Sequence, residues 1–475
     1  MDQPRDTAAE PQLGLWDAVS IIVGIIIGVG IFEVPAQVFA AVPGPWIALG
    51  LWALGSVFAL LGAMCFAELA STYPRSGGEY VYLTHAFGPI AGFLFGWAQL
   101  AVIRPGNIAA LAYLVGLYGA KLWGLDAWET FGLAVASVVA LTIVNVLDVT
   151  LGKDTQNLLT AAKLMGLAAI VVVGFAYGKP ANLFDTPAGG EPDWFAESML
   201  LILWTYDGWN EAAYIVAEVK NARRNLPLAL ILGTSLVTAI YLVINVAFLS
   251  ALGFTGAQGA AMPAQVLGLG WGALGATGIN VLIIISALGA INGMIFTTAR
   301  IYSEFGADHR FFEPLSRWSP HWRTPVCALL TQAVLTLGFL VGISAWVSLT
   351  ARRSAPETIN NGFNELIYMT AAVFWLFFLL TGVAFFVLRR KDADRPRPFR
   401  VPGYPAVPLV FCVCCAYMVY RAILFRPGES LIALGILLLG LVFYFLPKKA
   451  QHPRDSDHLI PRFGNSVKSS SFGDE

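Results

Sequence analysis

The sequence predicts an all-α integral membrane protein of 12 transmembrane helices, arranged as a five-plus-five inverted repeat with helices 1 and 6 discontinuous. Hydrophobic residues make up 57% of the 475 residues and charged residues 12%, with a mean hydropathy of +0.68. That is more apolar surface than a soluble core of this size can hide. Apolar stretches of about 20 residues, long enough to cross the hydrocarbon of a bilayer, recur twelve times. The first and the sixth are interrupted near their middles, and a pair of broken spans five apart is what an inverted repeat produces.

In chain order the spans lie near 16–40, 45–70, 90–118, 127–147, 156–178, 194–218, 227–252, 271–303, 324–348, 364–388, 403–425 and 429–446. The first repeat (helices 1–5) is then 16–178 and the second (helices 6–10) is 194–388. Helices 11 and 12, at 403–446, stand outside the repeat. Residues 1–15 are polar and mixed in charge, without the short apolar core and small-residue cleavage site of a signal peptide, so helix 1 stays in the mature chain. With the N-terminus inside, 21 of the 29 basic residues fall on the cytoplasmic side. This asymmetry places both termini in the cytoplasm, with 448–475 a polar, serine-bearing tail of disordered composition. A multi-pass protein of the cell inner (plasma) membrane is expected, with membrane lipid around it.

Helix 1 is interrupted at Gly24-Ile-Ile-Ile-Gly28-Val29-Gly30-Ile31-Phe32. Glycines at mid-membrane weaken the helix and expose backbone groups, which hydrocarbon tolerates only beside buried protein or a wet cavity. Close helix packing is the alternative use of such glycines. Helix 6 breaks at Leu203-Trp204-Thr205-Tyr206-Asp207-Gly208-Trp209-Asn210, where an acidic residue followed by glycine splits the span into two short helices. Half-helix N-termini offer N–H groups to a carboxylate, and half-helix C-termini offer carbonyls to an ammonium group. An α-amino acid carries both charges.

Several segments resemble one known group. Gly28-Val29-Gly30-Ile31-Phe32 is similar to the G-S-G-I-F motif of the amino acid–polyamine–organocation superfamily, with Val29 in place of serine, and Glu68 through Tyr80 resembles its helix 2 to helix 3 signature. Ile103-Arg104-Pro105, Tyr206-Asp207-Gly208-Trp209-Asn210, Asn292-Gly293 through Arg300, and Arg397-Pro398-Phe399-Arg400-Val401-Pro402 resemble, in order, motifs of the L-type amino acid transporter family. The resemblance runs from about residue 20 to 405 and implies an amino acid transporter. By position it implies that the N–H groups around Val29, Gly30 and Ile31 bind the substrate carboxylate, with Gly28 also among the substrate-binding residues. Carbonyls near Ile26 and Ile27, and near Trp204, Thr205 and Asp207, would receive the amino group, with Tyr206 and Gly208 completing the helix 6 side. Trp204 aligns with the family's helix 6 aromatic, an outer gate over bound substrate; a plain packing or interfacial aromatic is the alternative.

Lys163 lies inside helix 5, where an ammonium is expensive and should face a carbonyl partner, the unwound part of helix 1 being the expected one. Snorkelling to the interface is the other choice. The resemblance implies that this lysine stands where sodium-coupled relatives hold sodium, so sodium coupling is not expected; the lysine could also carry a transported proton. Asp207 replaces the family's usual glycine. It could select a cationic side chain, take up a proton, or cap the second half-helix. Glu33 raises the same question of charge selectivity. Arg104 is expected to pair with a carboxylate inside the bundle.

The five cysteines lie in apolar runs without metal-ligand spacing and read as packing residues. The five histidines have no catalytic or zinc partner at useful spacing, so neither an enzyme nor a metal site is expected. No cofactor is expected either. Nothing in the charge pattern implies nucleic acid, and no nucleotide-binding G-x-x-x-x-G-K-[ST] run exists, which makes transport secondary. Family exchangers in animals pair with a heavy chain through a cysteine between helices 3 and 4. Residues 118–126 hold none, so no disulfide-linked partner is expected. The first expectation is sodium-independent exchange (antiport) of neutral L-amino acids by alternating access. A proton-coupled or cationic amino acid and polyamine carrier, and an amino acid sensor without transport, are the alternatives.

Overall fold

The computed structural model describes residues 13–75, 77–179, 194–259, 261–351 and 355–445. The tail expected at 448–475 and nearly all of that at 1–15 lie outside the described residues. Helix 1 is two helices, α1 (Leu15–Ile26) and α2 (Gly30–Ala41), bent by 45°. Ile27 leaves helical geometry at ψ 76°, and Pro35 brings no N–H to the carbonyl of Ile31. Next come α3 (Pro45–Thr72) and a short α4 (Glu79–Phe87). The third span is α5 (Pro89–Ala98), a π-helical turn at Gln99–Ile103, and α6 (Arg104–Trp123). Pro105 cannot donate to the carbonyl of Ala101, so the turn before it widens.

The fourth span, α7 (Ala127–Leu147), starts where the sequence predicts, because Asp126 and Glu129 form a reciprocal capping box. After α8 (Val149–Ala176), the sixth span opens as α9 (Trp194–Thr205), turns through 206–210 and continues as a 3₁₀ segment, Glu211–Glu218, the second of its two short helices. The remainder is α10 (Ala222–Gly256), a short α11 (Met262–Trp271), α12 (Ala273–Asp308), a 3₁₀ turn at Arg310–Ser316, α13 (Val326–Ala351), α14 (Ala355–Lys391), α15 (Ala406–Phe425) and α16 (Pro427–Tyr444). Among the described residues, ten helices are long and apolar enough to cross a membrane, eleven with the bent α1–α2 pair, while α9 alone is too short. The protein is all-helical among the described residues; its one extended pairing is a parallel bridge between Leu13 and Val219, with the Lys220 N–H donating to the Leu13 carbonyl at 2.8 Å.

On α8 an apolar face turns outward and polar residues turn inward. Leu158, Met165 and Val172 are about two-thirds exposed, whereas Gln156, Thr160 and Lys163 are buried. Residues five apart on a helix sit about 140° round the axis, so a lysine placed between outward leucine and methionine positions points into the bundle. There α8 packs on α1, α10 and α12, the neighbourhood of the first break.

Candidate functional site

The two broken spans meet. A side chain on Gly208, whose φ is +107°, would strike Ile25 (Cγ2 at 2.7 Å) and approach the Ile26 nitrogen at 3.3 Å. Only glycine fits a left-handed turn this close to a neighbouring backbone. A side chain on Gly30 would strike Thr205, with Oγ1 at 2.8 Å. Behind both breaks stands Tyr241 of α10, fully buried, whose hydroxyl lies 2.7 Å from the Ile26 carbonyl and 3.2 Å from the Thr205 carbonyl.

The N–H groups of Val29, Gly30 and Ile31 donate to no group among the described residues, as befits the first turn of a half-helix. The carbonyls are more occupied than the sequence suggests. That of Ile26 accepts from the Gly28 N–H and from Tyr241, and that of Ile27 from Lys163 and Ser286. Gly28 also accepts from Ser286, at 2.9 Å, and Trp204 from the Asp207 N–H, at 3.1 Å. The Asp207 carbonyl accepts from no described group.

Two buried cations flank the breaks. The Lys163 ammonium donates to the carbonyls of Gly24 and Ile27, each at 2.7 Å, with the Ser286 carbonyl at 3.4 Å. No carboxylate lies within ion-pair distance of it among the described residues. Gly289 of α12 leaves the space that the ammonium fills: a methyl there would lie 2.9 Å from Nζ. Arg104, aimed by the π-helical turn, pairs with Glu211 at 2.7 Å. Its Nε donates to the Gln99 side chain at 2.9 Å, and its guanidinium lies 5.3 Å from the Tyr214 ring centroid. Glu211 is held in turn by the Thr297 hydroxyl at 2.5 Å.

Trp204 and Asp207, both only partly buried, line a cavity of about 20 Å³ with Asn107, Thr370, Phe374 and Trp375. That is room for a water molecule, and too little for an amino acid. Asp207 accepts from the Gly208 N–H at 2.7 Å, a local cap. Tyr206 points away from this cavity: its hydroxyl bonds Ser56 at 2.6 Å and its ring packs against Trp52 and Tyr241. Glu33 sits in the first turn of α2, where the nearest cationic influence is Lys121. It does not line that cavity. Tyr241, Ser286 and Asn107 carry no motif of their own, and only their places in the bundle reveal them.

A family profile described as amino acid permease matches residues 13–445. The chain belongs to the amino acid permease family, within the amino acid–polyamine–organocation superfamily. It is 33% identical over 458 residues to the b(0,+)-type amino acid transporter 1 of Homo sapiens, covering 94% of this chain and 89% of that one. It is 30% identical over 455 residues to the serine/threonine exchanger SteT of Bacillus subtilis (strain 168), covering 94% and 98%. The large neutral amino acids transporter small subunit 2 of Mus musculus is 29% identical over 459 residues, covering 94% and 82%. These relatives are transporters, and the apolar helices of this permease make it a multi-pass membrane protein.

Proposed function

We propose that this permease exchanges neutral L-amino acids across the plasma membrane by alternating access and without sodium. In this reading twelve spans form a five-plus-five inverted repeat. The free N–H groups at Val29, Gly30 and Ile31 take the substrate carboxylate, the carbonyl side of the α9 break takes the amino group, and Trp204 gates the site. The observation that carries the reading is the meeting of the two breaks, stapled by the Tyr241 hydroxyl through the Ile26 and Thr205 carbonyls. Opposed half-helix ends at one depth are the arrangement that holds a zwitterion. Lys163 supports sodium independence, since its ammonium already occupies the carbonyls of Gly24 and Ile27. The serine/threonine exchange after which SteT is named and the plasma membrane that a bacterial relative implies point the same way. A heavy chain joined by disulfide is not part of this reading.

Proteoliposomes loaded with single neutral amino acids test it. Uptake is expected to be stimulated from the trans side and unchanged when potassium replaces sodium. Strict sodium dependence, or binding without flux, would refute it. A second reading, transport of cationic amino acids or polyamines, rests on Asp207, a carboxylate that lines the cavity beside Trp204. There the Asp207→Gly variant should lose arginine and ornithine uptake while keeping that of neutral substrates; equal loss of both would leave Asp207 as a cap alone.

A further inference from the structure

A second cavity, of about 10 Å³, lies against the first and shares Asn107, Asp207 and Phe374 with it. Its walls hold three carboxyl groups, Glu79, Asp207 and Glu211, and one cation, Arg104, which is spent on Glu211 at 2.7 Å. Glu79 is 2% exposed and has no cationic partner among the described residues. Its Oε1 accepts from Asn210 Nδ2 at 2.9 Å. Both remaining oxygens of this pair, Glu79 Oε2 and Asn210 Oδ1, are buried and have no donor. An acid and an amide that already share one hydrogen bond are thus each left with an oxygen that lacks a donor, and a proton on the acid would supply one. A neutral Glu79 would donate from Oε2 to Asn210 Oδ1 and close the ring, so that each residue both gives and receives.

We propose that Glu79 is a proton-binding site of the transport cycle, protonated while this face of the protein is closed and deprotonated to water when the face opens. The inference rests on the transport reading above. The surroundings favour the neutral form. The turn at 206–210 and the 3₁₀ segment present Asp207, Glu211 and Tyr214, α4 itself presents Tyr82, and α14 presents only Phe374, Phe377 and Phe378. The other charges near α4 are engaged elsewhere: Arg75 with Glu304 and Asp308, Asp308 with the Tyr80 hydroxyl, and Lys391 with the His85 carbonyl. Burial pushes the Glu79 carboxyl up to about 7, against the opposing hydrogen bonds from Tyr214 and Asn210. The site is also placed to feel opening. Gly78, with φ +51°, lets the Tyr214 ring press to 2.6 Å of where a side chain would be, so α4 and the end of the sixth span touch at Glu79. Parting them would break the acid–amide ring and let water take the proton, which returns to the same side on closure.

The test is counterflow exchange in proteoliposomes at equal pH on both sides, wild type against Glu79→Gln, with infrared spectra of both proteins between acid and alkaline pH. A step that needs one proton slows about tenfold per pH unit above the carboxyl's titration; this fall is expected in wild type. Glutamine offers an N–H to Asn210 Oδ1 without titrating, so its profile is expected to be flat. Wild type should also lose a protonated-carboxyl band on going alkaline, and Glu79→Gln should lack that band. A flat wild-type profile, a wild-type profile in Glu79→Gln, or an unchanged infrared difference in the variant would each overturn the assignment. Absence of any amino acid flux in wild type would instead strike the transport reading, and the infrared comparison still decides the proton site.

Discussion

Lys163 and Arg104 are both cations buried at membrane depth, and the bundle holds them in opposite ways. Arg104 meets a full countercharge on Glu211 and lies against Gln99 and Tyr214, fixed on several sides. Lys163 meets only carbonyl dipoles, two of them on the unwound end of α1. The difference separates a strut from a latch. A guanidinium matched to a carboxylate in a dry interior cannot leave without stranding a charge. An ammonium on three carbonyls keeps its own charge whatever it holds, and in the proposed cycle it could exchange those partners if α1 shifted.

If that contrast is right, removing the strut has the largest effect. Arg104→Ala leaves Glu211 buried and unpaired, which costs about 3–5 kcal/mol; thermal unfolding in detergent should show a large loss of stability. A variant as stable as wild type would mean that the pair is solvated. Lys163→Ala should be milder for folding, about 1–3 kcal/mol for the Gly24 carbonyl left without a donor while Ile27 keeps Ser286. It should nevertheless slow exchange by at least about tenfold, equivalent to about 1.4 kcal/mol. If exchange stays at the wild-type rate, the lysine is a strut as well. The smallest change is Gly289→Ala, which places a methyl 2.9 Å from the ammonium and should cost about 1 kcal/mol of overpacking. Since Lys163 is pinned at both carbonyls, exchange should slow with it; a silent Gly289→Ala would show the ammonium to be free to shift.

Much of this was legible in the chain. The bent first span and the interrupted sixth follow from their glycines, and α7 begins at its capping box because Asp126 and Glu129 are three residues apart. The inward aim of Lys163 follows from its place between Leu158 and Met165. Other features were beyond a search for apolar stretches of about 20 residues: α4 and α11 are too short to register, and Gln99–Ile103 is apolar enough to pass for ordinary helix. Pro105 was the available clue to the widened turn. That Arg104 seeks a carboxylate could be read from its depth, but Glu211 as the partner could not, because pairing between distant spans has no periodicity in sequence. Tyr241 and Ser286 were hidden for the same reason, since a buried hydroxyl on an apolar helix looks the same wherever it points.

The strand-like contact between Leu13 and Val219 ties the beginning of the first span to the end of the sixth. Outward displacement of either terminal portion alone would break the hydrogen bond from the Lys220 N–H to the Leu13 carbonyl. In the proposed exchange cycle this would gear the two breaks to one stroke, and shortening the chain ahead of α1 would uncouple that stroke while Tyr241 still joined the breaks.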